Sequence, residues 1–213
     1  SFFWKQLFKL FKLKPYKAVQ RVHYDEISRL SGFVIYLFFT TLCVLDITKS
    51  SLIINIIIAF IPVVIISLKE DLLHNTSPKS RIFSMILSCL IFFYINPISF
   101  PILDIPLLRS VINLYSISII FFTFSFLVVM NGMNLIDGVN GLVGFTALFL
   151  LLAISIIAFN VGDMYIMNIA ILFAAPLIIF LFFNFPFGKV FMGDLGAYFY
   201  GFVIAILITY LFG

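Results

Sequence analysis

The chain has 213 residues, of which 63% are hydrophobic and 10% are charged, and its net charge is +4. Soluble domains are roughly 45–50% apolar and about 25% charged, so this composition excludes a soluble globular domain. The apolar runs continue for ~16–22 residues, which suits membrane-spanning helices better than the alternating strands of a membrane barrel. We therefore predict an all-α, polytopic helical membrane protein.

Two regions are predicted along the chain. Residues 1–31 form a basic amphipathic arm at the cytoplasmic membrane surface, because lysines alternate there with Phe, Leu and Trp. Residues 32–213 form a transmembrane domain with about seven helices. The predicted spans are 32–47, 52–68, 82–95, 110–130, 142–159, 165–183 and 197–212.

The basic residues predict the orientation of these spans. With seven spans, successive connections alternate between the two sides of the membrane. All but two of the 13 Lys and Arg residues then fall on one side, the exceptions being Lys49 and Arg109. Cytoplasmic loops carry an excess of Lys and Arg, so the polar segments 69–81, 131–141 and 184–196 are predicted to be cytoplasmic.

The segment 131–141 reads Asn-Gly-Met-Asn-Leu-Ile-Asp-Gly-Val-Asn-Gly and lies between two uncharged apolar runs. Its polar residues Asn131, Asn134, Asp137 and Asn140 recur at every third position, which keeps them near one face of a helix. Because polar groups are expensive in a bilayer, their regular spacing favours a functional site. The alternative is a polar turn between two membrane helices.

Two further polar segments lie on the same predicted side. Glu70 and Asp71 belong to the first segment, and Asp194 belongs to the second. Carboxylates from separate segments at one membrane face suggest a hard divalent cation such as Mg²⁺, which typically binds one or two carboxylates plus substrate phosphates. Basic side chains suit phosphate oxygens, amides suit sugar or base groups, and an aromatic ring suits a nucleobase. The expected substrate-binding residues are Arg81, Asn131, Asn134, Asn140, Asn184, Lys189 and Phe191.

These motifs resemble the polyprenyl-phosphate N-acetylhexosamine-1-phosphate transferase family, and more closely its N-acetylglucosamine-type branch. The family includes phospho-N-acetylmuramoyl-pentapeptide transferase and enzymes that start O-antigen and teichoic-acid linkage synthesis. The resemblance covers the chain from about residue 21 to its end. It rests on Arg-Leu-Ser-Gly at 29–32, Lys-Glu-Asp at 69–71 with Ser-Pro at 77–78, and the motifs at 131–142 and 184–198.

The resemblance implies transfer of a sugar-1-phosphate from a UDP-N-acetylhexosamine to polyprenyl phosphate, with release of UMP and with Mg²⁺, or alternatively Mn²⁺, as cofactor. Glu70 and Asp71 match the family's acidic pair, implicated in activating the lipid phosphate or in binding metal. Asp137 matches an essential catalytic acid, Asp194 matches the Mg²⁺ ligand, and Phe191 matches an aromatic residue that stacks on uracil.

The resemblance also implies partners and a location. The partners are the UDP-sugar, polyprenyl phosphate and membrane lipid, with no nucleic acid, and a homodimer is left open. The location is the bacterial inner membrane, with cytoplasmic active-site loops. The family normally has another helix before this chain and a His-rich cytoplasmic loop after it, so we expect a chain truncated at both ends. An inactive fragment and a transporter or permease are the alternatives, although transporter sites tend to lie near the bilayer midplane.

Overall fold

The computed structural model describes residues 29–48, 50–73, 75–96, 98–102 and 114–213. These residues form seven α-helices, which confirms the predicted all-α class. They are α1 Ser31–Val44, α2 Ser51–Leu73, α3 Pro78–Ile95, α4 Tyr115–Leu135, α5 Leu142–Asn160, α6 Met164–Asn184 and α7 Gly193–Phe212. The predicted arm at residues 1–31 lies outside the described residues except for its last three.

Six of these helices, α2 to α7, are long and apolar enough to cross a membrane. The remaining helix, α1, has 14 residues and ends at Val44, short of the predicted span 32–47. Its length is therefore ~21 Å at 1.5 Å per residue, less than the ~30 Å of a typical hydrocarbon core. The chain turns soon afterwards at Asp46, whose backbone φ is 52°.

The polar connections are shorter in the structure than the sequence suggested. Helix α2 continues to Leu73, α4 continues to Leu135, and α7 begins at Gly193. A helix can continue into the headgroup region, because water reaches its charged side chains there while its backbone groups stay paired. As a result, Asp71, Asn134 and Asp194 lie at helix ends.

Helix α7 is the centre of the bundle. It packs against α1, α2, α4, α5 and α6, and it is apolar all round, as expected of a fully surrounded helix. The ring of Phe199 lies 5.2 Å from Phe60 and 5.5 Å from Tyr36, and Phe202 lies 5.7 Å from Phe92, measured between centroids. These aromatic contacts hold the helix whose second residue is Asp194.

Two glycines of α7 allow other helices to approach its backbone closely. A Cβ on Gly32 of α1 would lie 2.2 Å from the Cα of Gly196, and a Cβ on Gly201 would lie 2.7 Å from the Cα of Met130 in α4. Small residues at such crossings let membrane helices gain van der Waals contact. The crossing at Gly32 also brings its N–H within 2.9 Å of the carbonyl oxygen of Met192.

The connections alternate between the two ends of the bundle, as predicted. At one end, the Ser50 and Tyr165 hydroxyls are 2.8 Å apart, and Asn55 donates to Asn96 at 2.8 Å. The start of α7 lies at the opposite end, where the three predicted polar segments meet.

Candidate active site

Two carboxylates from different segments hold the N-terminus of α7. Asp71, in the last turn of α2, accepts hydrogen bonds from the backbone N–H groups of Asp194 at 2.8 Å and Leu195 at 3.1 Å. Asp137, after the end of α4, accepts from Gly193 at 2.8 Å and Met192 at 3.3 Å. Four consecutive N–H groups, which have no partner within the helix, are thereby paired with carboxyl oxygens at the helix end where the dipole favours acidic groups.

Asp194 differs from Asp71 and Asp137 because its carboxylate binds a side chain, that of Arg81. Its Oδ2 accepts from Nη1 of Arg81 at 2.9 Å, and the two side chains are 10% and 24% exposed. Such a partly buried pair is screened less than a surface ion pair. Tyr198, one turn further along α7, accepts a hydrogen bond from Nδ2 of Asn134 at 3.1 Å, and its hydroxyl lies near enough to Arg81 to interact with the charge of that side chain.

Asp137 lies in the connection between α4 and α5, and only 6% of its surface is exposed. Burial raises the pKa of Asp137 to about 7, because a carboxylate loses hydration there. The N–H groups of Gly193 and Met192 and the positive charge of Arg29 act in the opposite direction. Its two backbone donors and the nearby arginine therefore partly offset the cost of placing a charge at this position.

Glu70 and Asp71 are adjacent in sequence but bind different parts of the site. The Oε2 of Glu70 accepts from both the backbone N–H and the hydroxyl of Thr76, at 2.8 Å and 2.6 Å. Glu70 thus orders the connection that leads into α3, whereas Asp71 binds the start of α7. Arg81 lies in the first turns of α3, and this connection sets its position.

Two of the predicted binding residues join the polar segments to each other. Asn184 is 1% exposed; its Oδ1 accepts from Gly141 N–H at 2.5 Å and its Nδ2 donates to the Val190 carbonyl at 2.6 Å. Asn140 donates to the Pro186 carbonyl at 2.9 Å. The assignment of both residues to substrate binding stays a prediction, and in this structure they connect the segment after α4 with the segment before α7.

The other predicted binding residues have varied surroundings. Asn131 donates to the Leu127 carbonyl at 3.0 Å, one turn back in α4. The Lys189 side chain is exposed, and its Nζ lies 5.6 Å from the centre of the Phe187 ring. Phe191 is 9% exposed, so most of its ring is covered. The roles of these residues in substrate binding stay predictions.

Three residues that the sequence analysis did not place in the site also contribute. The charge of Arg29 acts on Asp71, Asp137 and Asp194. Tyr198 accepts a hydrogen bond from Asn134 and lies near Arg81, and its spacing of four residues from Asp194 on one helix was a usable signal. Gly193 has φ of +77°, and a Cβ there would lie 2.1 Å from the carbonyl oxygen of Arg29. Arg29 and Gly193 were noticed only as parts of sequence motifs.

Among the described residues, no three His, Cys, Asp or Glu side chains form a group suited to hold a metal ion. The oxygens of Asp71 and Asp137 are already engaged with backbone N–H groups, whereas Oδ2 of Asp194 is bound by a side chain, that of Arg81. A site with one such carboxylate fits Mg²⁺ that is also bound by substrate phosphates and water.

The fold and the site define a multi-pass helical membrane protein with a carboxylate–arginine centre at one end of its bundle. Comparison with known families specifies this class further. The family profile described as glycosyl transferase family 4 matches residues 53–212. The chain belongs to this family.

Individual relatives agree with this assignment. The chain is 39% identical over 77 residues to a probable undecaprenyl-phosphate N-acetylglucosaminyl 1-phosphate transferase of Bacillus subtilis, covering 36% of this chain and 22% of the relative. It is 29% identical over 134 residues to the phospho-N-acetylmuramoyl-pentapeptide-transferase of Streptococcus thermophilus, covering 63% and 39%. The corresponding enzyme of Clostridium perfringens is 32% identical over 133 residues, covering 62% and 42%. The matched region spans less than half the length of each of these relatives.

Proposed function

We propose that the protein transfers an N-acetylhexosamine-1-phosphate from a UDP-sugar to a polyprenyl phosphate. The observation that carries this proposal is the convergence of Asp71, Asp137, Asp194 and Arg81 at the N-terminus of α7. Family membership and the names of the relatives, which act on undecaprenyl phosphate or transfer a phospho-sugar, support the same reaction.

In this reaction an oxygen of the lipid phosphate attacks the sugar-bearing phosphorus of the UDP-sugar. A new phosphorus–oxygen bond forms, the bond within the diphosphate breaks, and UMP leaves with the electron pair. Because the attacking phosphate is already an anion, catalysis requires alignment of two reactants and neutralisation of their charges more than removal of a proton. Arg81 and Arg29 supply positive charge next to the cluster.

Asp194 is the residue that would hold Mg²⁺, which when bound would neutralise charge on the diphosphate oxygens. Arg81 holds the Asp194 carboxylate at 2.9 Å and so limits its rotation. Asp71 and Asp137, assigned as catalytic acids from the sequence, act here as positioning residues, because their oxygens bind the backbone on either side of Asp194. Glu70 stays assigned to the catalytic group, with Thr76 fixing its carboxylate.

We also propose that the protein lies in a bacterial inner membrane and that this end of the bundle faces the cytoplasm, where UDP-sugars are available. The excess of basic residues on this side supports that orientation. A transporter is less well supported, because Asp71 lies in the last turn of its helix and Asp194 in the first turn of its own. Transporter sites lie nearer the bilayer midplane, in broken helices.

The substitution Asp194→Asn tests the proposed function. It keeps the size of the side chain but removes the charge that a divalent cation requires. We expect turnover to fall ~100-fold or more, equivalent to roughly 3 kcal/mol of activation free energy, with little change in unfolding temperature. The assay is transfer of labelled sugar phosphate to polyprenyl phosphate by the intact protein, with Mg²⁺ titrated.

Asp163→Asn is the matched control. Asp163 also lies at a helix start, where its Oδ1 accepts from Ile166 N–H at 2.9 Å, but it is at the opposite end of the bundle. We expect turnover close to that of the unmodified protein. Near-normal turnover of Asp194→Asn, or unmodified activity that survives EDTA, would contradict the metal assignment.

A further inference from the structure

Aromatic side chains are exposed around the end of α6, at the end of the bundle that holds the candidate active site. Phe182, in the last turn of α6, is 80% exposed. In the connection that follows, Phe185 is 49% exposed and Phe187 is 73% exposed. We refer to these three side chains as the aromatic patch. Large apolar side chains that are exposed together mark a surface that contacts another molecule or the membrane.

The connection after α6 folds back over the end of this helix. The Gly188 N–H donates to the Asn184 carbonyl at 2.7 Å, and the Lys189 N–H donates to the Phe183 carbonyl at 3.1 Å. Gly188 has a backbone φ of +57°, which glycine adopts without steric strain. Residues 185–187 therefore stay close to the last turn of α6 instead of extending away from the bundle.

The aromatic patch is continuous with a surface that faces lipid. Helix α5 is long and apolar enough to cross a membrane, and Phe149, about two turns from its start, is 64% exposed. The ring of Phe149 stacks on Phe145 with centroids 6.1 Å apart, and Phe145 packs edge-on against Phe185 at 5.4 Å. One ring thus separates Phe185 from a lipid-facing ring. This continuity favours the bilayer over a soluble protein as the partner of the patch.

A basic side chain accompanies the aromatic patch. The Nζ of Lys189 lies 5.6 Å from the centre of the Phe187 ring, and the lysine is exposed. Such a pair can leave its ring in the apolar part of a membrane surface while its ammonium group reaches the headgroups and water. The positive charge complements anionic headgroups, which attract basic residues near the surface.

We propose that the aromatic patch and Lys189 bind the surface of a bilayer that contains anionic phospholipid. The rings lie among the first carbons of the acyl chains, and the ammonium group lies among the headgroups. This position suits an amphipathic segment, because its apolar side chains enter the boundary of the acyl region while its charged group stays hydrated. The proposal concerns the position of the connection and does not depend on the proposed reaction.

This position links the bilayer to the segment that carries Asp194. Phe187 precedes Asp194 by seven residues. Between them, the Val190 carbonyl accepts from Nδ2 of Asn184, at the end of α6, and Met192 donates its N–H to Asp137. A connection that is anchored in the membrane surface therefore restrains the approach to the start of α7.

Tryptophan fluorescence of the intact protein tests this placement in vesicles of phosphatidylcholine and phosphatidylglycerol. Trp4 is first replaced by Phe, so that no other tryptophan of these 213 residues contributes to the signal of Phe187→Trp. We expect lipids brominated near the headgroup end of their acyl chains to quench this tryptophan strongly. Acrylamide in the water should quench it weakly.

Asn75→Trp is the matched control. Asn75 is exposed at the same end of the bundle, in the connection between α2 and α3, and the next two residues, Thr76 and Ser77, are polar. We expect acrylamide to quench this tryptophan strongly and the brominated lipids to quench it weakly.

Two outcomes of this experiment would overturn the proposal. If acrylamide quenches Phe187→Trp as strongly as Asn75→Trp, the aromatic patch faces water. If neither quencher reaches Phe187→Trp, another protein element covers the patch. No substrate is present, so either result leaves the proposed function and any role of Lys189 in substrate binding unaffected.

The preference for anionic lipid has its own measurement. In vesicles of one composition, bromine on phosphatidylglycerol alone should quench Phe187→Trp more than bromine on phosphatidylcholine alone. We expect a local enrichment of up to about fivefold, equivalent to about 1 kcal/mol for one basic residue at an anionic surface. Lys189→Gln should remove this preference, whereas Lys79→Gln, an exposed lysine at the start of α3, should keep it. Equal quenching by the two brominated lipids before Lys189 is changed would overturn the assignment to anionic lipid.

Discussion

The Tyr198 hydroxyl connects three side chains that the sequence places far apart. It accepts a hydrogen bond from Asn134 and lies within the electrostatic reach of Arg81, and Arg81 in turn holds Asp194. We therefore propose that Tyr198 is a positioning residue, because it lies beside the arginine that holds the acid. Loss of its hydroxyl should therefore lower turnover more than it lowers the unfolding temperature.

The substitution Tyr198→Phe should lower kcat by roughly 10-fold, because it removes the hydrogen bond from Asn134, which contributes about 0.5–1.5 kcal/mol, and a polar neighbour of Arg81. We expect the KM for polyprenyl phosphate to change little. Steady-state kinetics of the intact protein measure both quantities, alongside the unfolding temperature.

Tyr200→Phe is a matched control for this prediction. The Tyr200 hydroxyl is buried in the same helix and donates to the Phe173 carbonyl at 3.2 Å, away from the acids. Each variant loses one hydrogen bond, the part-buried one from Asn134 in Tyr198→Phe and the buried one to Phe173 in Tyr200→Phe, so their unfolding temperatures should fall by similar amounts. Equal kcat values for the two variants would show that Tyr198 has only a structural role.

At the scale of secondary structure, the N-terminus of α7 is capped by residues of neighbouring elements. No side chain of its own caps its N-terminus. Asp71 from α2 and Asp137 from the end of α4 supply the acceptors instead. A displacement of any of these elements would therefore move Asp194.

The crossing of α1 over α7 tests this dependence. In Gly32→Ala the new methyl group would lie 2.2 Å from the Gly196 Cα, so α1 must move away. Overpacking of this kind costs about 1–3 kcal/mol, and we expect a lower unfolding temperature in detergent together with reduced turnover. Both effects have one cause, since the shift also breaks the bond from Gly32 to Met192.

Gly132→Ala on α4 is the companion variant. A Cβ at Gly132 meets no atom within 4 Å, and alanine favours a helix over glycine by roughly 0.5–1 kcal/mol. Its unfolding temperature should stay the same or rise. If Gly132→Ala were as destabilising as Gly32→Ala, the close crossing would not be the cause.

At the scale of the whole molecule, the bundle has two chemically different ends. The acids and arginines of the candidate site meet at one end. Hydroxyl and amide pairs such as Ser50 with Tyr165 occur at the other. The proposed orientation puts the charged end in the cytoplasm.

Cysteine labelling in intact cells tests this orientation. Val139 and Val161 are 60% and 66% exposed and lie at opposite ends of α5, which makes them a matched pair. With Cys43 and Cys89 replaced, we expect an impermeant thiol reagent to label Val161→Cys from outside and Val139→Cys only after permeabilisation. Labelling of Val139→Cys in intact cells would reverse the orientation.

Much of the architecture could be predicted because apolar length and charge distribution depend only on local sequence. The continuous apolar runs predicted the helices, and the positions of Lys and Arg predicted which connections share a side. The identity of the acids at 71, 137 and 194 followed from the cost of placing charge near a bilayer. The resemblance of the surrounding motifs to a transferase family indicated the same residues.

The roles of those acids depended on tertiary structure. Sequence spacing could not show that Asp71 and Asp137 bind backbone N–H groups of α7 while Asp194 binds Arg81, since these bonds join residues more than 50 positions apart. It also could not show that an apolar groove lies between α1 and α6, the two helices whose Phe39 and Phe173 rings stack. Local patterns determine which segments span the membrane, whereas the packing of those segments around α7 determines what their polar ends contact.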